Sequence, residues 1–300
     1  MAFQETYNTF FVSIFLNVWV YGGATLAGFL LAAIGLYVYV FSIIFTKPAN
    51  RPAVFLSHKA SLDSSRKIVA CVGDSLTHGN MGVNYVDLLS SRLGDGYAWV
   101  NAGINADMSF NLLARIDEIV ACQPDYVIIL IGTNDVNATL APQNERTYRM
   151  MKGLKQTPTQ AWYKENLQKI VQAFQARTQA KIALMSLPVL GEGLEEPSNQ
   201  KVAQYCTTIQ EVANEMQVAY LPLHEKQVAY IQENQLKPAI AYKPGNTLMT
   251  LSMIRRYVLG QSWDAVAQAH GLHLTPDLVH TNGVAATMIA DLAEEFIRKN

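Results

Sequence analysis

Ser75, in Gly73-Asp74-Ser75, and His280, in Asp277-Leu278-Val279-His280, are residue types that together can perform nucleophilic catalysis. A serine hydroxyl is a weak nucleophile until a base takes its proton, and an imidazole is suited to that work near neutral pH. A carboxylate such as Asp277, three residues before the histidine, can accept from the imidazole and fix its tautomer. Acyl transfer by such a trio also needs donors for the oxyanion that develops. Ser75 has a second reading as a helix N-cap. The two roles are compatible, because a helix N-terminus also favours negative charge. His280 lies in a Pro/Thr-containing stretch before the last helical pattern, not on an apolar stripe. His78 is too close to Ser75 in sequence to serve readily as its base and reads as part of a starting helix.

Elements of two periodicities must position these residues. Short apolar runs at Lys67–Val72, Tyr97–Asn101, Tyr126–Ile131, Lys181–Leu187 and Val218–Leu223 read as strands. The run Tyr126–Ile131 is continuously apolar and rich in isoleucine, as a strand buried on both faces should be. Helical spacing recurs over Tyr85–Leu93, Met108–Cys122, Ala161–Ala176, Asn199–Met216 and Val284–Ile297. Five strands alternating with helices predict an α/β fold with a parallel sheet covered on both faces. Ligands of such sheets bind at the carboxyl ends of the strands. Gly73-Asp74-Ser75, Asn101-Ala102-Gly103 and Gly132-Thr133-Asn134-Asp135 stand at those ends. Each alone reads as ordinary turn punctuation; three on one rim suggest a site.

Taken in order, these blocks and Asp277-Leu278-Val279-His280 resemble the four motif blocks of the SGNH hydrolases, the GDSL esterase/lipase family. The resemblance extends over residues 67–298, and residues 1–66 have no counterpart in the family core. It implies a flavodoxin-like three-layer α/β sandwich with a five-stranded parallel sheet. It also implies hydrolysis of carboxylic esters through an acyl-serine, with Ser75, His280 and Asp277 as the triad. The oxyanion donors that it carries over are the Ser75 and Gly103 backbone N–H groups and the Asn134 side-chain amide. Asp135 beside them reads as a structural turn residue. No metal or other cofactor is expected. His270 and His273 lack further ligands at metal-site spacing, and Cys71 falls inside the first strand, where a thiol is inert.

Composition narrows the class further. The chain is 50% hydrophobic and 16% charged, which excludes a disordered protein. Its 23 Lys+Arg against 24 Asp+Glu argue against a nucleic-acid partner, and three cysteines are too few for a disulfide scaffold. From Thr6 to Thr46 there is no charged residue. A membrane span needs about 20 apolar residues, so residues 10–45 are expected to enter a lipid bilayer, with a single helix core at Ala24–Phe45. Basic residues follow that segment at Lys47, Arg51, Lys59, Arg66 and Lys67, whereas only Glu5 precedes it. The positive-inside rule then faces the catalytic domain to the cytoplasm, with a periplasmic or extracellular domain as the alternative.

The expected organisation is a membrane segment over residues 1–46, a linker over 47–65 and a hydrolase domain over 66–300. A helical insertion near 224–275 reads either as an ordinary packed pair or as a cap over the site. Residues 136–160 are expected to form a long loop beside Asn134 that shapes specificity. Asn137-Ala138-Thr139 fits a glycosylation sequon. The anchor favours a lipid-derived ester as substrate. Glycan O-deacetylation or acyl transfer is the enzymatic alternative, and a tethered scaffold with a vestigial hydrolase fold is the alternative of another class.

Overall fold

The computed structural model describes residues 28, 30–32, 34–245 and 247–300. They fall into two compact units, divided between Thr46 and Lys47. In the first, residues 34–45 are helical and expose Ile34, Tyr37, Val38, Tyr39, Phe41 and Phe45. Among the described residues no helix is long and apolar enough to cross a membrane. Most of the segment expected to do so, residues 10–27 with 29 and 33, lies outside the described residues.

The second unit carries five parallel strands: β1 (Lys67–Gly73), β2 (Tyr97–Gly103), β3 (Tyr126–Leu130), β4 (Lys181–Met185) and β5 (Ala219–Leu221). Their order is β2-β1-β3-β4-β5, the flavodoxin-like order. Val69, Val72, Val127, Ile128 and Leu130 are fully buried, which accounts for the uninterrupted apolar runs. Helices Tyr85–Leu93, Leu223–Glu233 and Gly283–Lys299 pack together as one layer. Helices Ser109–Ala114, Ile116–Val120, Gln160–Arg177 and Pro197–Glu215 form the other. Strands are added to one side of β1 and then to the other, so the strand order reverses between β1 and β3 and a crevice opens at their carboxyl ends. There β1 pairs in register with both neighbours, Gly73 opposite Gly103 on one side and Leu130 on the other.

Three expectations change. Residues 47–65 are more than a linker: Pro52 starts a helix, Pro52–His58, where its missing N–H costs nothing. Asn101 N donates to Asn50 O at 3.1 Å, and Lys59 Nζ to Cys122 O at 2.8 Å, which ties the segment to the domain. The helix expected over Met108–Cys122 breaks at Arg115, whose ψ of 16° is not helical. Its guanidinium turns instead to Asp107 and to the carbonyls of Gly73 and Ala102. Residues 136–160 are mostly helical, in Thr133–Leu140 and Pro142–Lys152. Their polar sequence hides this, because much of what they bury is Asn134, Asp135, Asn144 and Tyr148.

Candidate active site

β1 ends at Gly73 and the chain turns at once into the short helix Ser75–His78. Asp74 caps it, its Oδ1 accepting from Leu76 N at 3.0 Å. Ser75 therefore occupies the first helical position, directly at the end of the strand. A Cβ at residue 73 would collide with the Leu130 carbonyl and Thr77 Oγ1, so the turn closes only with glycine.

His280 reaches Ser75 from the far end of the chain. His280 Nε2 is 2.9 Å from Ser75 Oγ, and His280 Nδ1 is 2.7 Å from Asp277 Oδ2. Asp277 Oδ1 also accepts the backbone N–H groups of His280 and Val279. With the Nδ1 hydrogen given to the carboxylate, Nε2 is left to accept from the serine. Burial pulls the His280 pKa down, but the Asp277 charge and hydrogen bond outweigh it, so the net direction is up. Burial acts oppositely on Asp277, and the same pairing with His280 outweighs it, holding that carboxyl below its ordinary range. All three side chains are buried. They can pass the Ser75 proton to the imidazole and hold the imidazolium against a carboxylate.

The loop carrying Asp277 and His280 is fastened by a residue that sequence reading missed. Glu192 is buried, and its two oxygens accept from His273 N, Leu274 N, Thr275 N and Thr275 Oγ1, all at 2.8–2.9 Å. Gly191 N adds a bond to Leu278 O at 2.7 Å. Leu278 itself is held at φ 76°, an uncommon conformation for a branched residue. Helix Thr247–Tyr257, in the insertion, adds Ser252 Oγ to Pro276 O at 2.8 Å and Tyr257 OH to Asn80 O at 2.7 Å. The insertion thus touches segments on both sides of the site: the residue before Asp277 and the turn after His78.

Asn134 lies in the first turn of helix Thr133–Leu140. Its Nδ2 donates to Asp107 O at 2.9 Å and to Asp74 Oδ2, beside Ser75, at 3.3 Å, so one of its amide hydrogens faces the Ser75 turn. Tyr148 OH donates to Asn134 Oδ1 at 2.6 Å. Gly103 has a different setting from the one expected. Its N–H donates to Asn101 Oδ1 at 3.0 Å, and an oxyanion would have to displace that bond. Glycine is required there for another reason: a Cβ would collide with the Thr77–His78 backbone. Three residues on, Ala106 takes φ 61°, a strained setting of the kind that clusters at functional sites.

Asp135 does more than shape a turn. It accepts from Ser109 N at 2.9 Å and Ser109 Oγ at 2.6 Å, and burial pushes its pKa up to about 7. Asp74 is likewise pushed up to about 7 by burial. His78 is buried at the end of the Ser75 helix. His270 Nδ1 lies 2.7 Å from Pro276 O, and His273 Nε2 lies 3.3 Å from Lys237 O. Cys71 is buried, its thiol pushed up to about 12 by burial. In the sequon, Asn137 Nδ2 donates to Tyr148 OH at 3.1 Å, so attachment of a glycan to that nitrogen would break an internal bond.

A family model described as GDSL-like Lipase/Acylhydrolase matches residues 71–277. No curated protein matches the chain. Among solved structures, the acetyl xylan esterase AlAXEase is similar at 20% identity with a TM-score of 0.55, over 76% of this chain and 98% of that one. An acetylxylan esterase from Geobacillus stearothermophilus is similar at 20% identity and TM-score 0.54, over 78% and 95%. A lipase/acylhydrolase from Enterococcus faecalis is similar at 19% identity and TM-score 0.50, over 78% and 96%. At these identities the likeness is one of fold.

Proposed function

The chain belongs to the GDSL-like lipase/acylhydrolase family of carboxylic ester hydrolases, and from that premise we propose a serine esterase that works through Ser75, His280 and Asp277. The observation that carries this reading is the continuous bonding of Ser75 Oγ to His280 Nε2 and of His280 Nδ1 to Asp277. His280 takes the hydroxyl proton as Ser75 Oγ attacks the acyl carbon. The oxyanion is met by the Ser75 N–H and by the Asn134 Nδ2 hydrogen that it takes over from the longer bond to Asp74 Oδ2. Gly103 joins them only if its N–H leaves Asn101. His280 then protonates the leaving alkoxide, which departs as alcohol. Water, deprotonated by the same imidazole, attacks the acyl-serine and releases the acid. Replacing Ser75 by alanine tests the assignment: hydrolysis of p-nitrophenyl esters is lost while the fold persists.

The finer reading is an esterase held at a bilayer by residues 10–45, with the domain on the cytoplasmic side and a lipid-derived ester as substrate. It is supported by the charge-free stretch Thr6–Thr46 and the basic residues that follow. Carbonate washing tests the anchor, which retains the protein in the membrane pellet. Impermeant thiol labelling of a cysteine placed in 47–51, in a cysteine-free background, tests the side; labelling of intact cells contradicts a cytoplasmic domain. A second reading, removal of small acyl groups such as acetate from a glycan, is favoured by the enclosure of Ser75, only 6% exposed. A C2-to-C12 ester series separates the two. Preference for long chains supports the lipid reading, and preference for acetyl the other.

A further inference from the structure

A chain of hydrogen bonds runs from the insertion to Asn134. Tyr242 OH donates to Asn137 Oδ1. Asn137 Nδ2 donates to Tyr148 OH at 3.1 Å, and Tyr148 OH donates to Asn134 Oδ1 at 2.6 Å. Asn134 Nδ2 ends the chain, facing Asp107 O and Asp74 Oδ2. Every hydrogen in the series points the same way, toward the Ser75 turn.

Direction matters chemically. An amide whose carbonyl accepts a strong hydrogen bond becomes a better N–H donor, and bonds in a series polarise one another. An asparagine amide is otherwise free to flip, exchanging donor for acceptor. Here flipping would set Asn134 Nδ2 against the Tyr148 hydrogen and Oδ1 against the Asp107 carbonyl. Burial holds the Tyr148 phenol far above its ordinary pKa, so its hydrogen is present throughout the working range. Asn144 Nδ2 grips Asn137 at both O and Oδ1, and Tyr242 N donates to Glu196 Oε2 at 2.8 Å, which fixes the head of the chain.

We propose that Tyr148, backed by Asn137 and Tyr242, is a positioning residue that aims and polarises the Asn134 amide. The insertion segment carrying Tyr242 thereby sets turnover at a distance. This rests on the reading of Asn134 as an oxyanion donor. Such a role acts on the developing charge and so on kcat more than on KM.

The test is a set of mutant cycles on the full chain with p-nitrophenyl acetate, each variant checked for an unchanged melting temperature. Asn134→Ala is expected to lower kcat by about 10²–10³. Tyr148→Phe is expected to lower kcat by about tenfold with KM nearly unchanged, and to add nothing in the Asn134→Ala background. Tyr242→Phe is expected to lower kcat by roughly threefold, an effect that vanishes once Tyr148 is phenylalanine. Should Tyr148→Phe unfold the protein, the half-buried Tyr242→Phe, combined with Asn134→Ala, carries the test. A tyrosine effect that persists undiminished without Asn134, or a wild-type kcat in Tyr148→Phe and Tyr242→Phe, overturns the proposal while leaving Asn134's role intact. A wild-type kcat in Asn134→Ala overturns both.

Discussion

Ser75 Oγ and His280 Nε2 lie 2.9 Å apart although 205 residues separate them in sequence. One comes from the turn after β1, the other from the loop before the last helix. The loop holds its place because Glu192, Gly191 and Asn282 bind its backbone; Asn282 N donates to Leu274 O and Asn282 Nδ2 to His273 O. This contact is therefore a product of buried polar fastening as well as of sheet topology.

His280 titration should show this pairing. Only the neutral imidazole can take the Ser75 proton, so kcat/KM falls as pH drops through the His280 pKa. That pKa is raised, placing the acid limb above the ordinary value of 6.5. Asp277→Asn removes the charge that raises it. The limb should then move to lower pH while kcat falls by about 10²–10⁴. A limb that stays in place in Asp277→Asn contradicts the coupling.

Glu192 should matter for both stability and turnover. Glu192→Ala leaves three backbone N–H groups and the Thr275 hydroxyl without their acceptor. The expected loss is on the order of 3 kcal/mol in urea unfolding, with a lower kcat as the His280 loop loosens. Glu192→Gln keeps the oxygen that serves Leu274 and Thr275 but sets its NH2 against the His273 N–H, so it should recover only part of both.

Gly103→Ala separates packing from charge stabilisation. Its Cβ meets the Thr77–His78 backbone, so the variant should lose about 2 kcal/mol or more of stability. Asn101→Ala is the companion: it frees the Gly103 N–H without adding a Cβ. Turnover that survives in Asn101→Ala fits a Gly103 N–H available to an oxyanion. Turnover that collapses, in a folded protein, marks Asn101 as the fixture of that loop through its bond to Thr77 O.

Much of this was legible in the sequence because it is written locally. The five strands are dense apolar runs, whereas their order is implied only by the resemblance to a flavodoxin-like family fold. Gly73-Asp74-Ser75 and Asp277-Leu278-Val279-His280 each carry chemistry within four residues. Helices Thr133–Leu140 and Pro142–Lys152 are hard to read from sequence because, Val136 and Ala138 apart, their buried faces are made of threonine, asparagine, aspartate and tyrosine. The break at Arg115 was invisible because its cause is the carbonyls of two strands, 42 and 13 residues away. Glu192 and Tyr148 belong to no motif; their meaning lies wholly in partners that folding brings to them. Gly103 was noticed for its motif position, but its tight packing against Thr77–His78 appears only in three dimensions.

The central claim is that Ser75 is the nucleophile. Treatment of the full chain with a fluorophosphonate probe, followed by peptide mapping, tests it most directly. The account predicts a single adduct on Ser75, absent in Ser75→Ala and much slower to form in His280→Ala. An adduct on another residue, or equal labelling of Ser75→Ala and wild type, would contradict it.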